Sequence, residues 1–192
     1  YTPEQKILTK FHKEISISDL KKIENTETRN LIILRKINNL NQDFNPTEFS
    51  DFQKYLDFID SEKFKNKVVS DLNSIADTKY LSFITEDIIK LTQDVDTNYY
   101  RLKNFTKELP NFLSNDFNEK LTTILKDKIV ENCSFRTITD CWKEDFIKEL
   151  DDSVLHNLKN QNNEDLLYFL KCEKCDENIA KTILDKFLED KE

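Results

Sequence analysis

Glycine and methionine are both absent from this chain of 192 residues. Glycine supplies the positive φ angles of tight turns and lets a backbone approach a ligand closely. Without it, a chain cannot carry the glycine-rich phosphate loops of the dinucleotide-binding or Walker type, the nucleophile elbow of hydrolases, or the Asn-Gly and Asp-Gly turns of short hairpins. The composition therefore argues against a sheet-rich fold and favours helices joined by Asn, Asp and Ser turns.

Long apolar runs and clustered positive charge are missing as well. No stretch of 18 apolar residues is present, so we expect no membrane span. The formal net charge is −8, from 29 basic and 37 acidic residues that are well mixed along the chain. Nucleic-acid binding is disfavoured, because neutralising phosphates requires a clustered positive surface. Since Tyr1 is not methionine, the sequence is expected to begin at a processing site or at an arbitrary boundary.

Core-forming residues are plentiful. Hydrophobic residues make up 38% of the chain, and 14 of them are phenylalanine. A folded chain of this length buries about 70% of the surface that it exposes when unfolded, so disorder is not expected. No linker rich in proline, glycine or serine divides the sequence, and we predict one domain over residues 1–192.

Helix starts are marked by capping residues. Thr2 and Asn45 each precede a proline that is followed within two residues by a glutamate, an arrangement typical of a helix N-terminus. Further candidate caps are Ser18, Thr26, Ser61, Thr85, Thr137 and Asn163.

Apolar residues between these caps recur at helical spacing. One such stripe, which is expected to face the core, contains Leu31, Leu34, Ile37 and Leu40. The longest segment is predicted to run from about Thr85 to Leu109, where Pro110 ends it. The pattern predicts an all-α fold, a single compact array of about nine short helices.

No catalytic constellation is visible in the sequence. His12 and His156 stand in no recognised catalytic spacing with Ser, Cys or Asp, and no set of histidines and carboxylates has the spacing of metal ligands. We therefore predict that the protein is not an enzyme and holds no cofactor or metal.

The four cysteines lie in the last third of the chain, at Cys133, Cys141, Cys172 and Cys175. Two disulfides formed in an oxidising compartment are the first interpretation, and four cysteines allow three pairings. Buried thiols in a cytosolic protein are the second. A zinc ion held by four thiolates is the third, although the spacing matches the usual knuckle pattern only in part.

Aromatic residues are the remaining functional signal. Tyr99 and Tyr100 are adjacent on a predicted helix and point in different directions, so at least one is expected to reach the surface and contact a partner protein. The many phenylalanines either fill a core or line a cavity for an apolar ligand.

One stretch resembles a known family. Residues 51–72 contain a glutamine, an aromatic-leucine pair, a Ser-Glu-Lys-Phe turn and a valine pair, and Leu109-Pro110 is followed by the segment 117–121, Phe-Asn-Glu-Lys-Leu. These segments resemble the insect-allergen-related repeat family, typified by the cockroach midgut allergen. The resemblance implies an all-helical protein whose apolar cavity holds lipid. It covers about a quarter of the chain, lacks the family's glycine-rich connection and its Gly-Leu-Asp-Val turn, and adds cysteines that are foreign to the pattern.

Three functions remain open. The first is a non-enzymatic, secreted all-α interaction protein that acts by binding a partner protein. The second is a carrier of fatty acid or another apolar ligand in a helical cavity. The third is an intracellular helical-repeat scaffold, which requires a cytoplasmic location and reduced cysteines.

Overall fold

The computed structural model describes residues 2–10, 14–94, 101–102, 104–132, 134–136, 139, 161–172 and 175–189. Within these ranges every regular element is helical and no strand occurs, which confirms the all-α prediction. The α-helices are α1 (Pro3–Leu8), α2 (Ile17–Leu20), α3 (Thr26–Gln42), α4 (Pro46–Leu56), α5 (Glu62–Ile75), α6 (Leu81–Gln93), α7 (Asn115–Asn132), α8 (Asn163–Leu170) and α9 (Glu177–Glu189). A π-helical segment, Ala76–Tyr80, lies between α5 and α6, and a short 3-10 turn spans Thr106–Glu108.

The capping signals located several helix starts correctly. Thr2 forms a reciprocal capping box with Gln5 at the start of α1, Asn45 accepts hydrogen bonds from two backbone N–H groups of α4, and Ser61 caps α5. Side-chain oxygens at these positions bind N–H groups that have no partner inside the helix. The three predictions are confirmed.

Three other predicted caps were displaced by one or two residues. Ser16, not Ser18, caps α2, Asn25 rather than Thr26 caps α3, and Asn162 rather than Asn163 caps α8. In each case an equally good capping residue stands just upstream, so sequence alone does not distinguish them. Thr137 lies outside the described residues.

The predicted helix start at Thr85 is wrong. Helical structure runs without a break from Glu62 to Gln93, because α5 passes through the π-helical segment directly into α6. No glycine or proline occurs over this stretch to end the helix. The π-helical segment absorbs the change of helical register instead.

Contacts group the chain into two compact units. The first, here called the N-terminal unit, comprises Tyr1–Ile84 and Glu108–Asn118, and the second, the C-terminal unit, comprises Thr85–Lys107 and Glu119–Glu192. The three boundaries fall inside α6, the 3-10 turn and α7. That residues 1–192 form one domain stays a prediction.

The core of the N-terminal unit combines aliphatic and aromatic clusters. The aliphatic cluster joins the first three helices and consists of Ile7, Ile15, Leu20, Ile23 and Ile32, with Tyr55 packed against it. The aromatic cluster centres on Phe49, whose ring centroid lies 4.5 Å from that of Tyr80 and 5.2 Å from that of Phe112. Tyr80 belongs to the π-helical segment, so this segment contributes to the core.

The C-terminal unit has its own apolar core, to which α7, α8 and α9 contribute. Buried members among its described residues are Ile88, Leu91, Leu102, Leu121, Leu125, Ile129, Phe135, Leu166, Phe169 and Ile183. A polar contact accompanies it, since the Asn132 amide donates to the hydroxyl of the buried Thr92 at 3.0 Å.

Asp19 is a buried carboxylate that holds the N-terminal segment together. It accepts hydrogen bonds from the Ser16 backbone N–H at 3.1 Å and from the Lys10 ammonium at 3.0 Å. The hydrogen bond from Ser16, followed by that from Lys10, lowers the pKa of Asp19 below its ordinary value of 3.8. The carboxylate form therefore stabilises the folded state.

Asp19→Asn is expected to lower the free energy of unfolding by about 1–2 kcal/mol at pH 7, since it removes two charge-assisted hydrogen bonds. A depressed folded-state pKa gives stability that is complete above the unfolded pKa and is lost as the pH falls through the folded value. The difference between variant and wild type should therefore shrink as the pH falls below 3.8. Urea unfolding across pH 2–7 measures it. Asp185→Asn, at an exposed position, is the control, expected within about 0.5 kcal/mol of wild type.

Candidate functional site

Most residues that the sequence singled out lie outside the described part of the chain. These are Tyr99 and Tyr100, the predicted partner contacts, and Cys133 and Cys141, two of the predicted disulfide cysteines. Their roles stay predictions. His12 and His156 also fall outside the described residues.

Cys172 and Cys175 follow α8 and are not bonded to each other. The Cys172 thiol is buried and donates a long hydrogen bond to the Tyr168 carbonyl, with a sulfur–oxygen distance of 3.8 Å. Burial, followed by the charge of Asp176 and the nearby Cys172, raises the pKa of the Cys175 thiol above 9.0. A thiol with a raised pKa is a poor nucleophile at neutral pH. The pairing of the four cysteines in disulfides stays a prediction.

Two surface depressions flank α3 in the N-terminal unit. One lies between α3 and α4 and has a volume of about 80 Å³, and the other lies between α3 and α5 and has a volume of about 280 Å³. The second is here called the α3–α5 groove. Its lining residues are Leu34, Ile37, Asn38, Asn41, Asp71, Ser74 and Ile75.

Two of the charged residues that line the pocket between α3 and α4 already have partners. The Lys36 ammonium lies 4.9 Å from the ring centroid of Tyr55, and Asp51 forms an ion pair with Lys54 at 3.6 Å. Burial lowers the pKa of Lys36, while Glu48 and Asp19 act in the opposite direction. The Lys36–Tyr55 contact joins α3 to α4, and we interpret the pocket as structural.

Burial also affects the phenol in the same pocket. It raises the pKa of Tyr55 above 10.0, and the carboxylates of Asp51 and Glu48 raise it further. The phenol is therefore neutral at physiological pH and stays available as a hydrogen-bond donor.

The α3–α5 groove differs because three of its polar side chains, those of Asn38, Asn41 and Asp71, have no partner within the described residues. Its fourth, the Ser74 hydroxyl, donates to the Ser70 carbonyl at 3.2 Å. Asn38 and Asn41 stand one helical turn apart and are exposed, and within the described part of the chain neither side-chain amide makes a hydrogen bond. Asp71 is half-buried and forms no ion pair in the ranges described. Ile37 and Ile75, 6% and 4% exposed, supply the apolar part of the lining. The groove thus offers an apolar strip beside free donors and acceptors.

An exposed leucine extends this surface. Leu31 is 59% exposed, the largest value among the large hydrophobic side chains that the structure describes as exposed. It precedes Leu34 by three residues on α3, so the two side chains lie on the same helical face. The predicted core stripe that included Leu31 is wrong at this position, because Ile32 and Ile33 are the buried residues of that turn.

The groove was not among the sites predicted from the sequence. The available signal was the pair Asn38 and Asn41, at helical spacing beside an apolar stripe, but asparagines on a helix are ordinarily solvated. Among the described residues, no group of three or more His, Cys, Asp or Glu side chains is placed to hold a metal ion.

Nor does any helix in the described ranges combine the length and the apolar character that crossing a bilayer requires.

Comparison with known proteins adds no relative from which a site could be transferred. The sequence matches no protein-family model, no curated protein and no solved structure.

Proposed function

We propose that this chain is a non-enzymatic binding protein that recognises a partner protein through the α3–α5 groove and the neighbouring Leu31. The observation that carries the proposal is the unpaired Asp71 carboxylate, half-buried in a groove that also holds apolar side chains. A lysine or arginine supplied by a partner can form an ion pair with this carboxylate, which has no cationic partner within the described residues.

Leu31 adds the apolar contact that such recognition requires. Single exposed leucines are common on protein surfaces, but this one continues into the half-buried Leu34 and the buried Ile37 along α3. Apolar anchors surrounded by polar groups are the usual form of a protein-binding surface.

Secretion and disulfide bonding remain part of the proposal for the whole chain. The carrier of an apolar ligand and the intracellular scaffold stay alternatives. A carrier requires an apolar pocket, ordinarily of about 300–1,000 Å³, whereas the groove of about 280 Å³ presents amides and a carboxylate. Organic extraction followed by mass spectrometry tests that alternative directly.

Leu31→Glu is expected to weaken partner binding while leaving the fold intact, because the side chain is mostly exposed. The full chain, immobilised, is exposed to an extract of the cells or fluid that contain it, and retained proteins are identified by mass spectrometry. Each candidate is then purified and its affinity measured. We expect Leu31→Glu to weaken that affinity at least about tenfold, the loss of one well-packed leucine contact.

The matched control is Leu184→Glu, which places the same charge at a leucine of α9 that is 53% exposed. A purified partner that binds the wild type and Leu184→Glu equally, and Leu31→Glu weakly, supports the proposal. Equal binding to all three proteins contradicts it, as does a failure of every purified candidate to bind the wild type.

A further inference from the structure

We infer that the α3–α5 groove takes an extended peptide segment that carries an apolar side chain and a basic side chain. This inference rests on the proposed function and specifies the chemistry of the partner. Three features lead to it: the spacing of the Asn38 and Asn41 amides and their lack of partners, the unpaired Asp71 carboxylate, and the length of the α3 surface from Leu31 to Asn41.

The amides of Asn38 and Asn41 fit an extended backbone. Residues three apart on a helix have Cβ atoms about 5–6 Å apart. Backbone groups that face the same side of an extended chain repeat every 6.6–6.8 Å, approximately, which is close to this spacing. Each asparagine amide offers a donor and an acceptor, which complement the C=O and N–H groups of a peptide. Two successive peptide groups that face α3 can therefore each form a hydrogen bond with one asparagine side chain.

A helical occupant suits this groove less well. A helix satisfies its backbone N–H and C=O groups internally, so it would cover the amides of Asn38 and Asn41 without giving them partners. Leaving a polar group buried and unsatisfied is unfavourable. The two amides thus favour an occupant whose backbone N–H and C=O groups are not already hydrogen-bonded to each other.

The Asp71 carboxylate specifies the charge of the occupant. It lines the groove and is half-buried. Lys67 stands one turn earlier on α5, is exposed, and makes no ion pair with it in the structure. A lysine or arginine of the peptide would pair with this carboxylate, and arginine can do so through two parallel hydrogen bonds. The formal net charge of −8 favours the approach of a basic segment as well.

The surface of α3 from Leu31, beside the groove, to Asn41, in its lining, sets the length of the segment. From Leu31 to Asn41, α3 rises about 15 Å at 1.5 Å per residue. An extended chain covers this distance with about four to five residues at 3.3 Å each. A leucine, isoleucine or phenylalanine side chain of the segment would contact Leu31 and Leu34.

The test uses a phage-displayed library of random 12-residue peptides, selected on the immobilised full chain. Selected peptides are synthesised with a fluorescein label, and their affinities are measured by fluorescence anisotropy. We expect sequences in which a basic residue accompanies an apolar one within five positions. The double variant Asn38→Ala with Asn41→Ala should weaken binding about tenfold, through the loss of two or more hydrogen bonds.

Two further measurements separate the roles of charge and backbone. Asp71→Asn should weaken binding about five- to tenfold at low salt and reduce its dependence on ionic strength. N-methylation of the central peptide bonds should remove binding, because it blocks the N–H groups that meet the asparagines. Asn66→Ala, at an exposed asparagine of α5 outside the groove lining, is the control and should leave the affinity unchanged.

Three outcomes would overturn the inference. One is a library that yields no peptide whose binding depends on Asn38, Asn41 or Asp71. Another is tighter binding by a helix-stabilised version of a selected peptide. The third is an affinity that N-methylation does not change. In each case the partner experiment with Leu31→Glu still decides the proposed function by itself, since a folded partner surface can bind there without an extended segment.

Discussion

Replacing Phe49 with alanine is expected to lower the free energy of unfolding by about 3–5 kcal/mol. The side chain is completely buried and lies at the centre of the aromatic cluster, where its ring contacts those of Phe44, Tyr80 and Phe112. Truncation removes the transfer free energy of the ring and leaves a cavity that neighbours on α4, the π-helical segment and the 110–114 loop cannot fill without moving. Aromatic pair contacts of about 0.5–1.5 kcal/mol each are lost in addition.

Urea unfolding followed by circular dichroism measures this loss. With a denaturant dependence of about 2 kcal/mol per molar, the unfolding midpoint should fall by about 1.5–2.5 M. Phe83→Ala is the matched control, because Phe83 also stacks on Tyr80, at 6.4 Å, but is 43% exposed. We expect a loss of less than about 1 kcal/mol there. Equal losses in the two variants would contradict the assignment of Phe49 to the centre of the core.

The expected effect of Phe49→Ala extends to the groove. The π-helical segment links the aromatic cluster to the groove. Its Tyr80 contacts Phe49, and its Lys79 donates a hydrogen bond to the backbone carbonyl of Asn41, a residue of the groove lining. At a low temperature where Phe49→Ala is still folded, looser packing around Tyr80 should make this variant bind selected peptides more weakly than wild type does. Phe83→Ala should not.

The fold class followed from the sequence because it depends on signals that act locally. The absence of glycine and the 3.6-residue recurrence of apolar residues both specify helices without reference to any distant contact. Caps such as Thr2, Asn45 and Ser61 act over three residues, so their effect is visible in the sequence.

The errors arose where tertiary contacts chose between equal local alternatives. Residues 31–34 are Leu-Ile-Ile-Leu, so each side of α3 offers an apolar residue at this turn and periodicity cannot say which side is buried. Packing against the aliphatic cluster selected Ile32 and left Leu31 in water. The continuous helical stretch from α5 to α6 was also not predicted. Thr85 is a good capping residue, and the only signal against a helix start there is that no helix-ending residue precedes it.

The groove could not be predicted because it belongs to two helices separated in sequence by α4. Asn38 and Asn41 on one wall and Asp71 on the other are about 30 positions apart, and each is an ordinary surface residue of its own helix. Their proximity is a consequence of α3 packing beside α5, a long-range contact that hydrophobic periodicity does not specify.

Asn73→Ala is expected to lower the free energy of unfolding by about 2–4 kcal/mol. The Asn73 amide joins α5 to the segment that precedes α7: its nitrogen donates to the carbonyls of Phe112 at 3.0 Å and Val69 at 2.9 Å, and its oxygen accepts from the Ser114 N–H at 2.7 Å. Alanine removes these hydrogen bonds and leaves part-buried backbone groups of the loop without partners, which costs about 1–3 kcal/mol for each group.

The measurement is urea unfolding of Asn73→Ala beside Asn66→Ala, an exposed asparagine two turns earlier on the same helix. Asn66→Ala removes the same amide without breaking a described hydrogen bond, and should stay within about 0.5 kcal/mol of wild type. Asn73 does not line the groove, so Asn73→Ala should bind selected peptides as wild type does under conditions where it is fully folded. Loss of stability together with unchanged binding would show that this amide anchors the loop and that the recognition surface of α5 is built from its other side. A variant as stable as Asn66→Ala would instead show that water replaces the three hydrogen bonds without cost.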